Sequence, residues 1–286
     1  MKNRLGQTTC VHISASLSIK HRRFTHELRT TLGQVGVELA ELSGAADIWA
    51  RDYLPIQRHD GGFVSFTYSP DYLRNGYRHL ITDWSKVSPL PEMSITDCGL
   101  ILDGGNVVLQ GHSAIVTKKV FSENSHLTEV EVERRLREAF QLDKLIFTPN
   151  EEGDIWGHAD GMVAWIGPGR VVVNDYRKTY QKLHRDLKSI LRNAGIEAIE
   201  IPYSPDLRKR EIPSAKGNYT NLLILPEIVL LPVYGIASDE KALARIQSEL
   251  VDRRVVTVDC SDLAPEGGSI HCVTWEITFP DASMST

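Results

Sequence analysis

Five short polar clusters stand out in this chain of 286 residues: "DIWARD" at 47–52, "LDGGN" at 102–106, "WGHAD" at 156–160, "KGNYTN" at 216–221 and "EGGSIHC" at 266–272. Together they hold a thiol (Cys272), an imidazole (His158), carboxylates (Asp52, Asp103, Asp160) and an amide (Asn221). A thiolate is a nucleophile, an imidazole moves protons near neutral pH, and carboxylates pair with cations or bind metals. His158 and Asp160 are two residues apart, so along an extended chain both face the same way and can meet one ligand. The same pair with Asp103 could hold a metal, although a catalytic zinc usually draws on more imidazole than these clusters offer. Cys272 taken alone also reads as a core cysteine on a strand, as do Cys10, Cys98 and Cys260.

Residues so far apart act together only if the elements between them bring them together. "DGGNVVLQG" resembles "EGGSIHCVT", which suggests an internal repeat. From Gly105 the pattern runs strand ("NVVLQ"), turn ("GH"), strand ("SAIVTKK"), amphipathic helix ("TEVEVERRLREAFQ") and strand ("KLIFT"). Thr128 suits the helix N-cap, with Glu131 as its capping-box partner. The pattern returns from "DGMVAWI" to "IEAIEI" and from "YTNLLIL" to "RVVTVD". A fourth copy joins the two ends of the chain: "SIHCVTWEI" and "TCVHISAS" supply strands, "KHRRFTHELRTTLGQV" a helix and "VELAEL" a strand. A fifth, begun by "LPIQRHDGGFVSFTY", has a poorly marked helix between 70 and 90. The expectation is α/β, five strand–strand–helix–strand units closed into a ring, and a single domain over 1–286. In such a ring the polar clusters converge on the axis.

Composition narrows the function classes. Hydrophobic residues make up 42% and charged residues 24%, as in ordinary globular proteins. A formal charge of −5 and the absence of a long basic run argue against a nucleic-acid partner. No apolar run is long enough to span a bilayer and "MKNRLGQTTCVHISAS" lacks a signal-peptide core, so no membrane partner and a cytoplasmic location are expected. The four cysteines show no C-x-x-C spacing, against a disulfide framework or a structural zinc site.

W-x-R-D, D-G-G-N, G-H-x-D, Y-x-N and G-G-S-I-H-C, in this order, resemble the agmatine deiminase and bacterial-type peptidylarginine deiminase family of the guanidine-modifying penteins. The resemblance runs from Asp47 to Trp275 and implies a five-bladed α/β propeller of ββαβ units. It also implies hydrolytic deimination of a guanidino compound, agmatine first, with no metal and no cofactor. On this resemblance Cys272 is the nucleophile that forms a thiouronium, and His158 the acid and then the base. Asp52 and Asp160 grip the guanidinium, Asp103 orients the histidine, and Trp49, Asn221 and Gly268 border the substrate. Trp49 suits a core position equally, and Arg51 a structural ion pair. His271, next to Cys272 on an expected strand, should face away from it. Where the family reads T-G-P this chain has Tyr53, Leu54 and Pro55, and Glu266 stands where glycine is common. The expected partner is a small guanidino molecule, with homo-oligomerisation open. Peptidyl-arginine or free arginine, a metal-dependent hydrolase, and a guanidinium-binding protein without turnover remain as alternatives.

Overall fold

The computed structural model describes residues 8–226 and 228–279; the "MKNRLGQ" part of the signal-peptide reading lies outside them. The described residues form five three-stranded sheets. In the sheet that joins the chain ends, Trp275–Phe279 runs antiparallel to Thr8–Ser14, which pairs in parallel with Glu38–Leu42. The others repeat the scheme: Ile56–Gln57, Phe63–Thr67 and Ile95–Ile101; Val107–Gln110, Ser113–Thr117 and Lys144–Thr148; Val163–Gly167, Arg170–Asn174 and Glu197–Ile201; Leu223–Ile224, Ile228–Val233 and Arg254–Asp259.

A parallel pair needs a crossover. In four units this is a helix: Arg22–Gly33, Glu129–Phe140, Gln181–Asn193 and Ser238–Glu249. Each buries one stripe; in Glu129–Phe140 it is Val132, Leu136, Ala139 and Phe140. Removing a buried side chain such as Leu136 would cost about 2–5 kcal/mol. Thr128 caps this helix by accepting from Glu131 N at 3.2 Å. The return half of the expected capping box is absent, because Arg134 (2.8 Å) and Arg135 (2.7 Å) take the Glu131 carboxylate. Between 67 and 95 there is no α-helix, only the short turns Asp71–Leu73, Arg78–Leu80 and Trp84–Lys86. Pro70, Gly76, Pro89 and Pro91 interrupt any helical run there.

Two expected strands are corrected. "SIHCVTWEI" is not one strand: Ile270–Val273 is a short helix, and the strand begins at Trp275. Gly267 turns the chain at φ 100°, and Thr274 Oγ1 donates back to Ile270 O at 2.8 Å. "YTNLLIL" contributes only Leu223–Ile224 to its sheet. Asn218 Oδ1 instead accepts from Thr220 N (3.2 Å) and Oγ1 (2.8 Å), a local turn that competes with the ladder. Among the described residues no helix is long and apolar enough to cross a membrane.

Candidate active site

Each polar cluster lies on a tight turn ahead of its unit's first strand or, at 216–222, on an irregular segment. The turns are Ala50–Tyr53, Gly104–Asn106, Ala159–Gly161 and Ile270–Val273. They place Asp52, Asp103, His158, Asp160, Asn221 and Cys272 around one centre. His158 Nε2 donates to Asp103 Oδ2 at 2.8 Å, and Nδ1 lies 3.5 Å from Asp52 Oδ1. Asn221 Oδ1 accepts from both Cys272 N and Cys272 Sγ at 3.3 Å.

The paired glycines explain how groups from different units come so close. Gly105 N donates to Asp52 Oδ1 at 3.1 Å. A Cβ on Gly105 would stand 2.7 Å from that oxygen and 2.8 Å from His158 Nδ1. A Cβ on Gly268 would collide with the Trp49 ring, and one on Gly267 with the Trp156 ring. Trp49 therefore lies against the backbone just before Cys272, and it also borders the cavity over Cys272.

His271 is corrected. On a helix, successive side chains are about 100° apart rather than opposed, and His271 Nδ1 donates to Asp160 Oδ2 at 2.7 Å. Arg51 does serve as an ion-pair donor: it pairs with Glu276 and donates to His271 O at 3.4 Å. Tyr53 and Leu54 are fully buried in the hydrophobic core, so this departure from the family pattern shapes packing beneath the site. Glu266 is held by Lys20 and His21.

The site is dense in negative charge, and its proton affinities follow. Burial pushes Asp52 up to about 7; His158 pulls it down, while Asp103 and Asp160 add to the rise. Burial opposes charge on His158 too, but Asp52, Asp103 and Asp160 more than reverse this and push it up to about 10. Burial works against the Asp160 carboxylate as well, yet the His271 hydrogen bond and charge hold it below its usual range. The Cys272 thiol is pushed well up by burial, then by Asp160 and Asp52. These directions favour an imidazolium and a thiol in the empty site, and both groups line the same two cavities.

Two cavities meet at Trp156, His158, Gly267, Gly268 and Cys272. One, of about 340 Å³, has an acidic and aromatic wall of Asp47, Trp49, Tyr72, Tyr77 and Glu211. Tyr77 Oη donates to Glu211 Oε1 at 2.7 Å, joining two mouth segments. The other, of about 330 Å³, reaches Glu151, Lys209 and Lys216. Among the described residues no group of three or more His, Cys, Asp or Glu side chains is arranged to hold a metal ion. Sequence reasoning passed over Trp156, Tyr72 and the direct His271–Asp160 bond. Trp156 was findable, since it adjoins the G-H-x-D cluster.

The family profile of the Porphyromonas-type peptidyl-arginine deiminases matches residues 5–278. The chain belongs to this family. Its relatives include the agmatine deiminases of Ectopseudomonas mendocina, 27% identical over 65% of this chain and 59% of that one, and of Pseudomonas aeruginosa, 26% identical over 63% and 58%. This member of the Porphyromonas-type family thus spans about three fifths of the length of the curated relatives it matches. Its fold matches solved agmatine deiminases of Enterococcus faecalis (TM-score 0.75, 18% identity, 97% of this chain and 95% of that one) and C. jejuni (TM-score 0.74, 18% identity, 97% and 98%). A dimethylarginine dimethylaminohydrolase is more distant, at TM-score 0.58 and 13% identity over 94% and 99%. The fold is of the α/β pentein type, with five three-stranded sheets among the described residues.

Proposed function

We propose that this chain hydrolyses a small guanidino compound to a ureido product and ammonia, with agmatine as the preferred substrate. The observation that carries the reading is that the Cys272 thiol, the His158 imidazolium and the acidic pair Asp52 and Asp160 surround one centre open to a cavity. A guanidinium is planar and cationic, so carboxylates on two of its edges fix its plane. Its charge also answers the problem of the thiol: Asp52 and Asp160 disfavour a thiolate in the empty site, and a bound cation reverses that balance.

As the cation binds, the thiol proton is lost to solvent, and Cys272 Sγ attacks the central carbon as the thiolate. As the tetrahedral adduct collapses, the C–N bond breaks and His158 gives its proton to the departing ammonia. Water attacks the S-alkylthiouronium left behind and gives one proton back to His158; as the C–S bond breaks, the second proton passes to the departing Sγ, which restores the thiol and releases the ureido product. Asp103 holds the imidazole through its hydrogen bond, and Asn221 fixes Cys272 through both Sγ and N.

Selectivity turns on which charged groups face the far end of the substrate. Asp103 is engaged by His158, Asp154 by the Trp156 and Gly157 amides, and Glu266 by Lys20 and His21. Asp47, with one oxygen accepting from the Ile48 amide, and Glu211, with one accepting from Tyr77, form an acidic wall that suits the distal ammonium of agmatine. On the other side Asp206 holds Arg208 and Arg210, leaving Lys209 and Lys216 as the cations that a carboxylate could meet. A desolvated charge without a partner is costly, so kcat/KM for agmatine is expected to exceed that for free arginine by about tenfold or more. Steady-state ammonia release on both compounds and on an arginyl peptide tests this; a higher kcat/KM for either arginine form would assign the substrate to the Lys209 and Lys216 side. Activity should also survive exhaustive chelation, and restoration of a dead apo-protein by a stoichiometric divalent metal would refute the thiol mechanism.

A further inference from the structure

Lys119 opens the short helix Lys119–Glu123 behind the site, and its side chain is only 5% exposed. Its Nζ donates to Trp156 O at 2.6 Å and Ile155 O at 3.5 Å, the backbone leading into His158. The same ammonium lies 3.2 Å from Asp71 Oδ1, 3.6 Å from Glu123 Oε1 and 3.9 Å from Asp103 Oδ2. It also sits 4.5 Å over the Tyr72 ring. A buried ammonium with so many partners from separate segments fixes those segments to one another.

We propose that Lys119 is a positioning residue for His158: its ammonium anchors both Asp103, which bonds the imidazole, and the backbone that leads into it, and with Glu123 it sets the charge the imidazole feels. The inference rests on the reading of His158 as the proton carrier. Asp103 Oδ1 and both Glu123 carboxylate oxygens are buried without a hydrogen-bond partner among the described residues. Lys119 offsets them together with the His158 imidazolium, and it is the nearer cation to Glu123. Burial, then Asp103, pushes Glu123 up to about 7, and Lys119 opposes this.

The titratable groups around Lys119 are Asp71 and Tyr72 from the mouth segment, Asp103, Glu123 on its own helix, and Asp154 and His158 from 151–158. His158 itself faces Asp52, Asp103, Asp160 and the Tyr72 ring. Removing a cation from this set should make the imidazolium easier to keep, and removing an anion harder. Opposite substitutions should therefore move His158 in opposite directions, which a merely structural lysine would not do.

The test uses the full chain with Lys119→Met and Glu123→Gln. Agmatine turnover is followed across pH, and the His158 imidazole is titrated by NMR of histidine-labelled protein, assigned with His158→Asn. Lys119→Met should lower kcat by about tenfold or more while KM stays within about threefold. It should raise the His158 midpoint by about half a pH unit or more, and Glu123→Gln should lower it by a similar amount. A Lys119→Met kcat within about twofold of the unmodified chain, or midpoints within about 0.2 unit in both variants, overturns the proposal. If Lys119→Met does not fold, the Glu123→Gln midpoint decides. If the unmodified chain releases ammonia from no guanidino compound, the proposed reaction fails, and the titrations still decide this inference by themselves.

Discussion

Cys272→Ala is expected to abolish ammonia release from every guanidino compound, by a factor of at least about 10⁴, while leaving the protein folded. The loss follows from the chemistry: without Sγ there is no thiouronium, and unassisted water attacks a resonance-stabilised guanidinium slowly. The fold should survive because Cys272 contributes little to it. Its side chain donates to Asn221 Oδ1, and its backbone amide, which the alanine variant retains, donates to the same oxygen. The site is a short helix, where alanine is favourable, so thermal unfolding should shift by an amount worth no more than about 1–2 kcal/mol. Burial pushes the other thiols up to about 11 at Cys10 and Cys98 and about 12 at Cys260, and none borders the cavities over His158. Serine at those positions should leave turnover within about threefold of the unmodified chain. Mass spectrometry of quenched turnover should find the substrate-derived adduct on Cys272. A Cys272→Ala protein with more than about one per cent of normal activity would sink the covalent route.

The ring was legible because its signal is long-range and redundant. The polar clusters recur in the same place in each unit, and "KLIFT", "IVLLPV" and "RVVTVD" coincide with strands at Lys144–Thr148, Ile228–Val233 and Arg254–Asp259. The convergence of His158, Asp103 and Asp52 followed from that repetition. The errors lie where a local pattern served two readings. "SIHCVTWEI" alternates as a strand does from Trp275 onwards, but Ile270 and Val273 are both buried three residues apart, which is helical spacing. That single misreading turned His271 away from the site, although it grips Asp160.

Lys119 was illegible for a different reason. In "VTKKVF" a lysine buried against carboxylates looks the same as one in solvent. Its partners at Asp71, Asp103 and Trp156 lie 48 residues before it, 16 before it and 37 after it in the chain. Only the folded ring places those groups around it. The same holds for the acidic wall: Asp47 and Glu211 belong to separate units, and no local motif links them.

His158→Asn should lower kcat by about 10²–10⁴ with a much smaller change in KM, because in the proposed reaction the imidazole acts on the departing ammonia and the attacking water. Asparagine keeps a polar group in the buried space but cannot donate and then recover a proton. The pH profile carries the sharper test. Below about 10 His158 is the imidazolium that can protonate ammonia, and this form is lost as pH rises through that value, so the alkaline limb of kcat/KM should fall near 10. Asp52 must be a carboxylate to grip the guanidinium. That form is lost as pH falls through about 7, which places the acid limb there and the optimum between the two. In His158→Asn the residual activity should lose its limb near 10. Its acid limb should move to higher pH, because the imidazolium that lowers the Asp52 proton affinity is gone. Limb positions identical to those of the unmodified chain would remove His158 from the proton transfers and leave it a structural partner of Asp103.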